Sequence, residues 1–349
     1  MVQENNTQYV ILTREHIEKL SPSLTKKSHL TFKSSVNLEK LYLKEALLGS
    51  EYVYKMDEHL AFIKDDKNQV VVMTDLAEIR LPKACGNLFA CLRLASIDLS
   101  GVCTSHVTSM KSMFGWAEVK KLDLSNFNTA QVLDMAEMFQ CCQTQDLDLF
   151  SFDTRNVVDM TSMFQGCNAK RINLSSFDTK KVVDMSNMFC GCEVVKRLDL
   201  SNFDTRNVEN MKGMFHKCEA KQIDVSSFDM RKVVNMSGMF YGIKVEKLDL
   251  SGFDTSEVIK MASMFEECQV KRIDLSSFDT RKVVTMSEMF KRCKVEYLNI
   301  SDVNTTNVKD ISEMFRESTI GHLEASGFHV PIDTSDMFLE CNVRMADVR

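Results

Sequence analysis

The 349-residue sequence has few of the features that mark a membrane protein, an exported protein or an enzyme. It contains three prolines and one tryptophan, and it has no apolar run long enough to cross a bilayer. The amino terminus lacks a basic start followed by an apolar stretch. We therefore expect a cytoplasmic protein without a membrane span, the alternative being secretion by an unconventional route.

Motifs for catalysis and cofactor binding are also missing. The sequence has no GxxxxGK, GxGxxG, GxSxG or HExxH pattern. Its seven histidines share no repeat position and form no i, i+4 pair, which argues against a metal centre or acid–base chemistry. The sequence thus predicts no enzyme, no cofactor and no metal site. A formal net charge of -6 gives no reason to expect nucleic acid as a partner.

The twelve cysteines do not resemble a disulfide framework, because most of them recur at one position of a repeat. Ile243 and Ser318 fill this position in other copies. Since a position that accepts Ile is apolar, we expect a buried column of free thiols. We assign to this column Cys91, Cys142, Cys167, Cys192, Cys218, Cys268, Cys293 and Cys341.

A repeat of about 25 residues dominates the chain. The dipeptide Met-Phe occurs ten times, from Met113-Phe114 to Met337-Phe338, and a degenerate copy surrounds Leu88-Phe89. Within one unit, Ile273 and Leu275 alternate with polar residues, as in a half-buried strand. Val283, Met286, Met289 and Phe290 then recur at i, i+3, i+6 and i+7, which favours a short helix.

The unit therefore predicts an α/β repeat solenoid of about ten repeats, with a leucine-rich-repeat-like parallel sheet and short helical turns. Consecutive strands are parallel because each crossover is about 20 residues long. Eighteen of the 23 Met and 19 of the 22 Phe fall in four repeat positions. Recurrence of this kind predicts four buried core columns, whereas a Met-rich binding groove is the alternative.

The repeat resembles a known family. The segments LDLSNFDTRNVENMKGMFHKC and IDLSSFDTRKVVTMSEMFKRC are similar to the BspA-type leucine-rich repeat, LDLSxFDTxxVxxMxxMFxxC. The resemblance covers roughly residues 85 to 349. It implies a leucine-rich-repeat fold and a binding role, because members of that family are mostly exported surface proteins or adhesins.

Residues 1–84 do not repeat, and we interpret them as a small α+β amino-terminal cap for the solenoid of residues 85–349. An independent docking domain is the alternative. Tyr9 to Leu12 is predicted to be a strand, and Arg14 to Leu20 a helix after Thr13. A hairpin is expected at residues 60–73. At the other end, residues 343–348 restart the strand pattern and predict an edge strand that could pair with another chain.

The outward strand positions carry an acidic column flanked by cations, and a second basic stripe follows the FDT motif. The acidic column is interpreted either as a solvated charge ladder or as a docking face. The basic stripe could follow a phosphate backbone, but no surface aromatic column accompanies it. The acidic column contains Asp98, Asp123, Asp148, Asn173, Asp199, Asp224, Asp249, Asp274 and Asn299.

Departures from the repeat point to candidate binding residues. Phe150 occupies a position that is Ser in the other repeats, Asp146 and Tyr297 replace a cation, and Trp116 occupies a position that is often Gly. Exposed aromatic residues often anchor interfaces, although local packing is the alternative for each. The candidate partner-binding residues are Phe150, Asp146, Trp116, Asp148, Arg171 and Tyr297.

These observations predict a non-catalytic protein-binding solenoid that acts as an inhibitor, an immunity partner or an adaptor. The alternative function is that of an exported adhesin or effector that binds a host or neighbouring-cell surface molecule.

Overall fold

A computed structural model describes residues 2–4, 7–36, 53–65, 67–193, 197–326, 328 and 336–347. The chain forms two compact units. The amino-terminal unit comprises Met1–Asn156 and Asn168–Ser176, and the carboxy-terminal unit comprises Val157–Cys167 and Phe177–Arg349.

Strands account for nearly all of the regular secondary structure in the described residues. One α-helix, α1 (Arg14–Leu20), lies in the amino-terminal unit and is followed by the 3-10 turn Ser21–Ser23. The strands of this unit are β1 (Val2–Glu4), β2 (Thr7–Ile11), β3 (His29–Lys33), β4 (Val53–Lys55), β5 (Leu60–Lys64), β6 (Gln69–Thr74), β7 (Glu78–Arg80), β8 (Arg93–Asp98), β9 (Val102–Cys103), β10 (Glu118–Asp123), β11 (Asp146–Asp148) and β12 (Arg171–Asn173). Those of the carboxy-terminal unit are β13 (Arg197–Leu198), β14 (Gln222–Ile223), β15 (Lys244–Val245), β16 (Gln269–Asp274), β17 (Lys294–Asn299), β18 (Thr319–Glu324) and β19 (Asn342–Asp347).

Helix α1 begins where the sequence predicts it. The hydroxyl of Thr13 accepts a hydrogen bond from the His16 backbone N–H at 3.4 Å, and His16 Nδ1 accepts one from the Thr13 N–H at 3.2 Å. This reciprocal pair satisfies two N–H groups at the start of the helix. Ile17 and Leu20 are buried on its inner face.

The first 84 residues contribute strands to the same sheet as the first repeats. The order in this six-stranded sheet is β10-β8-β3-β6-β5-β4. Strands β5 and β6 form the predicted antiparallel hairpin, and β3 pairs in parallel with both β6 and β8. The backbone groups along the edge of β8 that faces β3 are therefore paired over part of their length by a strand outside the repeats.

The repeat strands stack in parallel, as the long crossovers predict. In the carboxy-terminal unit the sheet order is β15-β16-β17-β18-β19, and every pairing is parallel. Residues one repeat apart face each other, for example Ile273 opposite Leu298. Each column of the sequence repeat thus becomes a line of side chains perpendicular to the strands.

The predicted helical turns are wrong, and the architecture is a β-solenoid. Between strands, the N–H of Met113 donates to the carbonyl of Met110 at 3.1 Å, and the N–H of Phe114 donates to the carbonyl of Met138 in the next repeat at 2.9 Å. Ser112 and Trp116 have φ values of 53° and 60°, in the left-handed region. Left-handed residues four positions apart interrupt a helix, so the segment is a chain of tight turns hydrogen-bonded to its neighbour.

The Met and Phe columns are buried, as predicted, except at Phe338 near the carboxy-terminal end of the array, which is 48% exposed. In the carboxy-terminal unit, the Phe215 ring stacks between Phe189 and Phe240, with centroid distances of 6.0 and 5.8 Å. In the amino-terminal unit, Phe114 and Phe139 stack at 5.7 Å. Offset stacking of aromatic rings adds to the stabilisation from burial of their apolar area.

A buried threonine column links successive repeats. The Thr205 hydroxyl donates to the Asp229 carbonyl at 3.0 Å and accepts from the Asp229 N–H at 2.7 Å. The same link joins Thr104 to Asn128 and Thr129 to Asp153. The Thr of the FDT motif therefore satisfies two backbone groups of the neighbouring repeat.

All twelve cysteines are free. The predicted column is buried except at its two ends, where Cys341 is only partly buried and Cys91 is exposed. Burial raises the pKa of Cys192, and it raises that of Cys218 to about 11. A hydrogen bond with Cys293, together with burial, raises the pKa of Cys268. Cys91 does not belong to the column, because it is exposed and occupies a left-handed position with φ of 60°. Leu92 is the buried residue in that copy.

Candidate protein-interaction surface

Phe150 is the most exposed large apolar side chain among the described residues, at 68%. It follows β11 at a position where Ser125 and Ser175 stand in neighbouring repeats. The Ser125 hydroxyl donates to Asp123 Oδ1 at 2.7 Å. Phe150 cannot form this bond, but its backbone N–H still donates to Asp148 Oδ1 at 3.1 Å. The turn thus keeps its backbone geometry while the aromatic ring lies in solvent.

Asp146 and Arg171 form an ion pair beside Phe150. They face each other across β11 and β12, with 2.9 Å between Arg171 Nε and Asp146 Oδ1 and 3.0 Å between Nη2 and Oδ2. The hydrogen bond from Arg171 lowers the pKa of the Asp146 carboxyl. Asp146 and Asp148 are two residues apart on β11 and therefore lie on one face of the strand, and Phe150 lies in the following turn, where its N–H donates to Asp148.

Asp148 lies between them and also contacts the next repeat. Its Oδ1 accepts a hydrogen bond from Asn173 Nδ2 at 2.8 Å. Four of the six candidate residues therefore lie together. We call this set, Phe150, Asp146, Asp148 and Arg171, the Phe150 surface.

Trp116 is exposed but lies away from the Phe150 surface. The indole precedes β10, whereas Phe150 follows β11, the next strand of the repeat. Strand β10 has six residues, so at about 3.3 Å per residue the strand alone separates the two ends by roughly 20 Å. Trp116 is 62% exposed and has a left-handed backbone, which explains why other repeats place Gly there.

Tyr297 belongs to the carboxy-terminal unit and is packed between neighbours. The Arg272 guanidinium lies 3.8 Å from its ring centroid, and the His322 ring stacks at 5.5 Å. Cation–π and ring stacking contacts of this kind are consistent with a packing role, the alternative that the sequence left open.

The residues of the acidic column lie at or just after the carboxy-terminal ends of the repeat strands. In the carboxy-terminal unit, Asp199 Oδ1 accepts hydrogen bonds from the backbone N–H and the hydroxyl of Ser201, at 3.2 and 2.7 Å. The hydrogen bonds from Ser251 lower the pKa of Asp249 in the same way. These carboxylates serve local turns, so their regular recurrence follows from the fold.

The basic stripe is paired with acidic residues of the same motif. Arg231 donates to Asp229, and Arg281 donates to Asp279 with 2.9 Å between Nε and Oδ1. The bond from Arg281 lowers the pKa of Asp279 to about 2. Because each arginine is matched by a nearby carboxylate, the stripe is a poor match for a phosphate backbone.

The structure also exposes an aliphatic column that was not among the sequence-based candidates. In the carboxy-terminal unit, Val158, Val183, Val234 and Ile259 occupy the same repeat position and are 37 to 42% exposed. Their backbones form a ladder, in which the Ile259 N–H donates to the Val234 carbonyl at 2.9 Å. The signal was available in the sequence, because a β-branched residue directly follows the buried Val of these repeats.

The described part of the chain contains no helix with both the length and the apolar character that a bilayer crossing requires. In each unit, parallel strands stack in register around buried Met and Phe columns. This arrangement defines a β-solenoid repeat protein.

The repeats match a known family. The profile of the family described as "Mycoplasma protein of unknown function, DUF285" matches residues 83–199, 167–269 and 242–346, and the chain belongs to this family. No curated protein and no solved structure matches the chain.

Proposed function

We propose that this β-solenoid is a non-catalytic binding protein that holds a partner protein on the Phe150 surface. The exposure of Phe150 is the observation that carries the proposal. An aromatic ring in solvent does not stabilise the fold, whereas a partner that covers the ring gains binding free energy from burial of its apolar area.

The exposed ring is large enough to act as an anchor. A Phe side chain has an area of about 200 Å², so 68% exposure corresponds to roughly 140 Å². At about 25 cal/mol per Å², complete burial would contribute about 3 kcal/mol to binding. Truncation of a residue that dominates an interface typically costs about 2 kcal/mol or more of binding free energy. The contribution expected for Phe150 falls in this range.

The charges around the ring define the complementary partner surface. Asp146 and Arg171 neutralise each other through two hydrogen bonds. Asp148 is bonded to the neutral Asn173 amide and keeps its negative charge. An apolar cleft with a polar rim and a single positive charge therefore matches this surface better than a strongly charged patch. Binding should accordingly depend weakly on ionic strength.

The test compares Phe150→Ser with the parent protein. Proteins captured from the native cell by the parent are quantified, and the dissociation constant of the partner is then measured with purified proteins. We expect Phe150→Ser to weaken binding about thirtyfold, which corresponds to 2 kcal/mol. Leu133→Thr is the matched control, because it also removes an exposed apolar side chain and introduces the residue found at Thr108.

A partner that binds Phe150→Ser as tightly as the parent protein would refute the proposal. Equal losses for Phe150→Ser and Leu133→Thr would also refute it, because the loss would then not be specific to the Phe150 surface.

We also propose that the repeat is a variant of the BspA-type leucine-rich repeat and that residues 1–84 cap the array. The LDLSxFDT segments support the first statement, and the pairing of β3 with β8 supports the second. We place the protein in the cytoplasm, where its free cysteines would stay reduced.

A further inference from the structure

Three side chains with metal-binding atoms meet in the carboxy-terminal unit. His322 and Glu324 are two residues apart on β18 and therefore lie on one face of the strand. Asp347, on β19, is the register partner of Glu324. The imidazole nitrogen and one oxygen of each carboxylate all lie within 4.8 Å of one another.

The distances suit a metal ion with little rearrangement. His322 Nε2 is 3.7 Å from Glu324 Oε1 and 3.2 Å from Asp347 Oδ2. Ligand atoms bound at about 2.1 Å in a tetrahedron are about 3.4 Å apart. The two measured separations lie on either side of that value, so small side-chain rotations would complete the ligand set.

The His322 imidazole is held in place and its Nε2 atom is buried without a hydrogen-bond partner. Asp347 Oδ2 is near it, but the pair does not have hydrogen-bond geometry. The ring stacks on Tyr297 at an interplanar angle of 19°, which fixes its orientation. A buried nitrogen without a partner raises the free energy of the folded state, and coordination to a metal ion would remove this cost.

We propose that His322, Glu324 and Asp347 bind a divalent transition-metal ion such as Zn²⁺. One imidazole and two carboxylates form a mixed nitrogen and oxygen ligand set, which suits this class of ion. The two carboxylates balance its charge. The Asp347 side chain is 70% exposed, so water can fill the remaining coordination positions.

Metal binding would connect two strands. His322 and Glu324 belong to β18, and Asp347 belongs to β19, so the ion would hold the last described strand against the sheet. The site leaves no histidine-pair motif in the sequence, because its three ligands come from two strands and include a single histidine.

The experiment uses the full chain with Co²⁺ as a spectroscopic probe and Zn²⁺ in hydrogen exchange. We expect saturable Co²⁺ absorption without a thiolate charge-transfer band, and slower amide exchange in residues 342–347 when Zn²⁺ is added. Asp347→Asn and His322→Gln should each weaken Co²⁺ binding more than about tenfold, since even loss of an outer hydrogen-bond partner costs 10- to 100-fold. Asp302→Asn is the control for removal of an exposed carboxylate and should bind like the parent.

Three results would overturn the proposal: no saturable binding by the parent protein, thiolate bands in its spectrum, or normal binding by Asp347→Asn. Asp347 is exposed, so its substitution leaves the fold intact and keeps the test valid if the His322 variant does not fold. The site lies in the carboxy-terminal unit and shares no residue with the Phe150 surface. Failure of this test would therefore leave the proposed function unaffected.

Discussion

Replacement of Thr205 by Val would test the contribution of the threonine column to stability. The Thr205 hydroxyl is buried and forms two hydrogen bonds with the backbone of Asp229, at 3.0 and 2.7 Å. Valine has nearly the same size and the same β-branch, so the cavity contribution is small. The change in the free energy of unfolding would then report almost entirely on these two bonds.

The expected loss follows from the groups that remain unpaired. An unsatisfied buried donor or acceptor costs about 1 to 3 kcal/mol, so the Asp229 N–H and carbonyl together cost about 2 to 6 kcal/mol. The variant no longer buries the polar Thr205 hydroxyl, and this stabilises it by about 1 to 2 kcal/mol and offsets part of the loss. Asp229 is only partly buried, which favours the lower end, and we expect a net loss of about 2 kcal/mol.

Urea unfolding and hydrogen exchange would measure this loss. Because repeat arrays can open locally, exchange at the Asp229 amide is the sharper probe, and it should become about thirtyfold faster. Thr306→Val is the control, since Thr306 is exposed and surface changes usually stay within about 0.5 kcal/mol. If Thr205→Val is as stable as Thr306→Val, the column does not link the repeats energetically.

Three further predictions concern single side chains. In the native protein a small thiol reagent should modify exposed Cys91 rapidly and leave buried Cys268 unmodified, as checked by peptide mass mapping; rapid modification of Cys268 would contradict its burial. Trp116→Gly should raise the free energy of unfolding by about 1 kcal/mol, because Gly adopts a φ of 60° without strain, and a destabilised variant would argue for indole packing. NMR titration should place the pKa of Asp279 at about 2. The depressed pKa means that the stabilisation from Arg281 is present above about pH 4 and lost as the pH falls towards 2, whereas a pKa near 3.9 would show that the pair does not persist.

The repeat architecture could be predicted because each column repeats one chemical requirement. Alternating Ile and Leu predicted the strands, and long crossovers predicted their parallel stacking. The hairpin and helix α1 were predicted from local signals alone: the polar residues 65–68 between two apolar runs for the hairpin, and the Thr13 cap for the helix. These elements depend on contacts that are close in sequence or identical in every copy.

The helical turns could not be separated from tight turns by apolar spacing alone. Val283, Met286, Met289 and Phe290 fit a helical stripe, yet the turn segment buries the same residues. The distinguishing signal was Gly at two positions four residues apart, as in Gly238 and Gly242, whose φ values are 61° and 67°. Glycine at these positions indicates left-handed backbone, which a helix does not contain.

The candidate site was predictable only where a departure from the repeat leaves a side chain without a neighbour to cover it. Phe150 stands out in this way, because a Ser position lies at the solvent edge of the strand. Tyr297 departs from the repeat too, but Arg272 and His322 from adjacent strands cover its ring. Comparison of the repeats position by position does not show whether a residue that departs from the repeat is covered by side chains of the adjacent strands.

The serines that stand at the position of Phe150 in other repeats, such as Ser125 and Ser175, allow the effect of Phe150 on stability to be estimated. In the same unit, Ser125 contributes a hydroxyl bond to Asp123 at 2.7 Å, and such a bond stabilises a fold by about 0.5 to 1.5 kcal/mol. Phe150 lacks this bond and also exposes apolar area, so Phe150→Ser should be at least as stable as the parent protein. Residues that lower stability without a structural reason are concentrated at sites of function. A stable Phe150→Ser variant that no longer binds the partner would separate the two roles, whereas a less stable variant would show that the ring packs within the fold.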